Sequence, residues 1–143
     1  MAELVILGEV MRLKNWPGRF AELVESARAR PFEWGSHDCC LWGADSVLAL
    51  TGNDLAAQWR GTYSDALSAA RLLKQLGGLE ALAATAGPEM PPSFAAQGDV
   101  GLVEANAEDG SLSIAVCAGH SWLVVGESGL LSFPTAVRAW RVA

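Results

Sequence analysis

The sequence predicts an α+β domain in which helices come first and strands second. Three observations carry this. Apolar residues recur at helical spacing from Phe20 to about Thr85, and Gly or Pro closes the runs. From Gly98 the pattern changes to short apolar runs separated by Gly-containing turns, which reads as an antiparallel sheet. Between the halves lies Gly87–Pro92, a loop with three prolines.

Residues 1–13 read as an N-terminal arm, with Leu4-Val5-Ile6-Leu7 as an edge strand or a partner contact and Met11 as an alternative start. Residues 14–143 then form a single domain. Asn15 suits an N-cap, with Pro17 early in the helix where its missing N–H costs nothing. Phe20, Leu23, Val24 and Ala27 form the apolar face of this helix. Arg28 and Arg30 suit its last turn, and Pro31 ends it. Asp38 caps a second helix from Cys39 to about Leu50, stopped by Gly52. Its core face holds Cys39, Trp42, Gly43, Ser46, Val47 and Leu50.

Asn53-Asp54 opens a short third helix to Trp59. Ser64 caps a fourth, Asp65 to Gln75, whose candidate core residues are Leu67, Ala70 and Leu73 together with Ala69, Leu72 and Leu76. Gly77-Gly78 breaks it, and an Ala-rich helix follows to about Thr85. Strands are expected at Asp99–Glu104, Ser111–Ala118, Ser121–Val125, Leu130–Phe133 and Val137–Val142.

A length of 143 residues suits one domain, and 51% hydrophobic against 18% charged residues makes it a packed one. The net charge of −6 comes without any basic patch, so nucleic acid is not an expected partner. No apolar run approaches the span of a bilayer, and Met1–Gly8 lacks the basic start of a secretory signal; no membrane insertion is expected. Three cysteines, two of them adjacent, make no disulfide framework. That points to synthesis in a reducing cytoplasm, with a particle as one route out.

The chemistry of the chain concentrates in Pro31-Phe32-Glu33-Trp34-Gly35-Ser36-His37-Asp38-Cys39-Cys40. A cysteine in the first helical turn meets unpaired N–H groups and the positive end of the helix dipole, which favour thiolate. Asp38 works the other way, because a neighbouring negative charge raises a thiol pKa. The expected Cys39 pKa is therefore ordinary or raised. His37 can fold back towards the thiol as a candidate base, or bond a backbone carbonyl; we read it as structural. A metal reading of His37, Asp38, Cys39 and Cys40 fails on spacing, since adjacent residues at a helix start point apart. No metal and no cofactor are expected. Of six tryptophans, Trp16 and Trp122 are the candidates for partner contact.

Phe32, Trp34, Gly35, Asp38 and Cys39, followed by Gly98-Asp99-Val100 opening the first sheet strand, resemble the NlpC-type cell-wall cysteine peptidases of the papain-like superfamily. Pro-Phe-x-Trp-Gly-x-His-Asp-Cys-Cys, Thr-Gly-x-Asp and the closing Ala-Trp-Arg-Val are similar to small phage and gene-transfer-agent tail proteins related to these peptidases. The resemblance covers about residues 15–143. It implies a papain-like fold with the Cys-bearing helix packed on a C-terminal antiparallel sheet. It also implies Cys39 as nucleophile, Trp34, Asp38 and Trp42 as substrate contacts, peptidoglycan stem peptides as substrate, and no metal.

The family's histidine opens the strand after Gly-Asp, and at the matching position this chain has Ser113. A hydroxyl with no pKa near neutrality cannot replace it as base. His120 lies seven residues further on, roughly 20 Å of extended strand away, and is an unsuitable base. The leading expectation is thus a structural component of a phage-like tail tip or baseplate with degraded catalysis. It would be made in a bacterial cytoplasm, assembled into a virion or phage-like tail, and partnered by other tail or baseplate proteins. The alternatives are an active peptidoglycan-cleaving peptidase or amidase aiding DNA delivery, and a module that only binds cell-wall peptides.

Overall fold

The computed structural model describes residues 11–143. Residues 1–10, with the expected strand at Leu4–Leu7, lie outside the described residues. The fold is α+β, with four α-helices and a six-stranded sheet among the described residues, the sheet antiparallel throughout in the order β1-β6-β2-β3-β4-β5. The helices are α1 (Trp16–Ala27), α2 (Cys39–Thr51), α3 (Ala66–Gln75) and α4 (Leu79–Ala84). The strands are β1 (Glu89–Met90), β2 (Val100–Glu104), β3 (Leu112–Cys117), β4 (Trp122–Gly126), β5 (Gly129–Phe133) and β6 (Arg138–Trp140). Among the described residues no helix is long and apolar enough to cross a membrane.

Helix α2 is the centre of the molecule. Asp38 caps it by accepting the Leu41 N–H at 3.0 Å, and Gly52 ends it in the left-handed conformation (φ 79°). Both follow from the sequence. The expected core face is buried, with Cys39 only partly so, and Leu41, Ala44 and Ala49 are buried too. The helix is covered on both sides because α1 and the sheet lie on one side, and Trp59, Tyr63 and α3 on the other.

The sheet alternates as its period of two requires. Val100, Leu102, Ile114, Val116 and Trp140 face the helices. Val103, Ala115, Cys117, Trp122, Val124 and Ala139 face away, into a second apolar cluster. The β3–β4 ladder pairs only Val116 with Leu123 and Cys117 with Trp122. Trp42 is fully buried beside β4, and its indole N–H donates to the Leu123 carbonyl at 2.9 Å.

The Gly98-Asp99 pair is a structural knot. The Asp99 carboxylate accepts the Val142 N–H (2.9 Å), the Ala96 N–H (2.8 Å) and an Arg12 N–H (3.2 Å). Arg12 also donates to the carbonyls of Val142 and Gln97, and the Leu13 N–H donates to Leu50. Arg12 and Leu13, read from the sequence as arm, therefore belong to the domain.

Several expectations are corrected. No helix forms over Asn53–Trp59: the Asp54 carboxylate takes the Ala56 N–H and two Arg60 donors, which holds the stretch as successive turns. The cap of α3 is Asp65, not Ser64, because Asp65 and Ser68 form a reciprocal capping box. Leu67 is 60% exposed; Ala69, Leu72 and Leu76 make the packed face instead. Arg28 and Arg30 lie beyond the last turn of α1. Part of the proline loop is strand β1, recruited by pairing with β6. Trp122 is buried, and Trp16 is half-buried under the Arg12 guanidinium at 4.4 Å, so neither is a free docking surface.

Candidate functional site

The loop ahead of α2 is built to present Cys39. Glu33 and His37 exchange main-chain hydrogen bonds of 2.9 and 2.8 Å, and the Ser36 hydroxyl donates to the Glu33 carboxylate. Gly35 has φ 82°, and a Cβ there would stand 2.1 Å from the Tyr63 carbonyl oxygen, so no side chain fits. Asp38 ties the loop to the helix. One carboxylate oxygen accepts the Leu41 N–H; the other accepts the Gly35 N–H at 2.9 Å and the Tyr63 hydroxyl at 2.5 Å. Asp38 is 2% exposed with both oxygens engaged, so it is a positioning residue and not a free substrate contact. Trp42, fully buried with its N–H in use, is likewise core rather than substrate contact. Trp34 remains at the surface, 42% exposed, its ring edge-on to Phe32 at 4.7 Å.

The Cys39 thiol meets Cys40, the Ile114 main chain and the Ser113 hydroxyl. Helix α2 thus presents it to β3, with Ser113 beside it. Its pKa is lowered to about 7, chiefly by the Cys40 thiol hydrogen bond, with help from Ile114 and Ser113; burial and Asp38 oppose this. This corrects the expectation of an ordinary or raised value. Asp38 does act in the expected direction, but hydrogen bonds to the sulfur outweigh it. Cys40 is pushed strongly up by the same hydrogen bond and by burial. Of the two neighbouring thiols, Cys40 is the one that keeps its proton. Cys117 points to the opposite side of the sheet and takes no part.

No imidazole is among the groups acting on Cys39. His37 is 2% exposed, edge-on to Trp42 at 6.3 Å, and neither ring nitrogen has a partner among the described residues. It bonds neither the thiol nor a carbonyl, which corrects both readings of its ring; only its main chain holds the loop. Its pKa is lowered by burial and by Arg30, with Asp45 and Asp38 opposing, which favours the neutral ring. His120 is exposed in the turn after β3, at the end of that strand away from Ser113. Among the described residues no three His, Cys, Asp or Glu side chains converge to hold a metal.

Beside the thiols lies a narrow apolar cleft of about 30 Å³, lined by Trp34, Cys39, Cys40, Trp59, Leu73 and Leu82 among others. Sequence reasoning missed Tyr63, the single tyrosine of the chain, and Cys40 as the thiol that polarises Cys39. The adjacency of the two cysteines was the available signal for the second. No curated protein and no solved structure matches the chain. Residues 11–142 match the family described as Domain of unknown function (DUF6950), and the chain belongs to that family.

Proposed function

We propose that this chain is a structural component of a phage-like tail tip or baseplate, built on an NlpC-type, papain-like scaffold that no longer hydrolyses peptides. The observation carrying the loss of catalysis is Ser113 beside the Cys39 thiol, with both imidazoles elsewhere. Amide hydrolysis needs more than a thiolate. The leaving amine must be protonated and a water deprotonated, and an imidazole does both in such enzymes. Here the hydroxyl of Ser113 can do neither at neutral pH. The resemblance carries the tail role and names the partners as neighbouring tail or baseplate proteins. The lowered Cys39 pKa favours a second reading, an active peptidoglycan peptidase or amidase.

Incubation with peptidoglycan fragments separates the two. We expect no Cys39-dependent peptide release, since acid–base catalysis worth roughly 100- to 10,000-fold is missing. In parallel, iodoacetamide alkylation of Cys39 should rise with pH below about 7 and level off above it, as the thiolate fraction does. Release of peptides by the native chain, lost in Cys39→Ala, would establish the peptidase instead. Unchanged particle infectivity or DNA delivery with Cys39→Ala is the result the structural role requires.

A further inference from the structure

The ring of His37 is buried without a bonding role. It lies edge-on to Trp42 of α2, 2% exposed, and neither nitrogen has a partner among the described residues. A neutral imidazole buries one N–H donor there; an imidazolium would bury two donors and a full charge. Desolvating that charge without a partner is costly. The charged groups around the ring are already committed. Arg30, on the segment after α1, repels an imidazolium. Asp38, ahead of α2, attracts it, but both its oxygens accept from Gly35, Leu41 and Tyr63. Asp45, further along α2, attracts it too, but is ion-paired with Arg60 at 2.9 Å. The loop itself is bonded mostly within itself, through the Glu33–His37 pair, the Ser36 N–H to the Glu33 carbonyl and the Gly35 N–H to Asp38. From outside, Arg30 reaches the Ser36 carbonyl only at 3.4 Å. The buried ring is thus an anchor of the loop on α2.

We propose that His37 is an acid-released latch: the neutral ring pins the Glu33–His37 loop against Trp42, and protonation sends the ring into water and opens the loop while the sheet stays folded. The sign follows from the surroundings. Burial, and then Arg30, lower the pKa of the ring in the closed loop, so the open loop binds the proton more tightly. The closed form has its full stability above the ordinary imidazole value of about 6.5 and loses it as pH falls below. While the closed ring stays neutral, the closed-to-open ratio drops by up to roughly tenfold per pH unit. Trp34 moves with this loop, so opening removes one wall of the cleft beside Cys39.

The test reads amide protection factors on the intact chain at pH 7.5 and 5.5, corrected for the intrinsic pH dependence of exchange. Those of Glu33, Ser36 and His37 should fall roughly tenfold between the two, and those of the β2–β3 ladder should not change. His37→Phe keeps a ring against Trp42 and cannot titrate, so its loop protection should be the same at both pH values. That variant also separates His37 from Asp45, whose pKa burial raises and whose protonation would act in the opposite direction. Flat protection in the native loop, or an equal fall in His37→Phe, would overturn the proposal. So would a fall of the β2–β3 ladder in step with the loop, which is global acid unfolding and not a latch. If His37→Phe does not fold, the imidazole NMR signals of native His37 decide. A protonated set that grows as loop protection falls supports the latch; a single set titrating near the ordinary value with the loop still protected overturns it.

Discussion

Replacing Asp38 with alanine should lower the melting temperature by roughly 10–15 °C, the equivalent of about 3–5 kcal/mol. The carboxylate serves three donors at once: the Gly35 N–H, the Leu41 N–H and the Tyr63 hydroxyl. Loss of the helix cap alone costs about 1 kcal/mol. The larger part comes from stranding donors beside a group that is 2% exposed, where water cannot replace it. Tyr63→Phe removes one of these donors together with its demand and should cost only about 1–2 kcal/mol. Thermal and chemical unfolding of the two variants measures both. Equal stability of Asp38→Ala and the native chain would show that the loop is held by other means.

Trp42→Ala should be at least as damaging, at about 3–5 kcal/mol. Its side chain is fully buried between α2 and the sheet, and its indole N–H satisfies the Leu123 carbonyl of β4. Removing it opens a cavity in the main core and leaves that carbonyl unpaired. Trp42→Phe keeps most of the ring and loses the donor, so about 1–2 kcal/mol is expected. Denaturant unfolding should show a lower midpoint for both, with the alanine variant well below the phenylalanine one. The reverse order would mean that the hydrogen bond, not the volume, holds β4 against the helix.

Local signals in the sequence placed most of the frame. Asp38 before an apolar helical run, Gly52 after it, and Gly98-Asp99 before a strand are short-range devices, and each acts where it stands. Elements fixed by distant partners were not legible. Strand β1 exists because Trp140 and Ala139 pair with it across the proline loop. The Asn53–Trp59 stretch fails to be a helix because Asp54 finds Arg60.

The site divides the same way. Cys39 at a helix start was visible in the sequence, and so was the awkward presence of Asp38. The Cys39 pKa was not, because Cys40 and the β3 groups at Ser113 and Ile114 decide it, and only folding brings β3 there. His37 was misplaced for a related reason. Its neighbours in sequence suggested the thiol or a carbonyl, whereas burial against Trp42 took the ring away from both.

The knot at Asp99 bears on how this domain can be mounted. Arg12, Asp99 and Val142 are joined by direct hydrogen bonds, so the first and last described segments meet at one corner. A pull between the two segments would load a cluster of hydrogen bonds before it reached the sheet. A body tethered in this way can be hung from a larger frame, or spliced into a surface loop of one, without parting its strands.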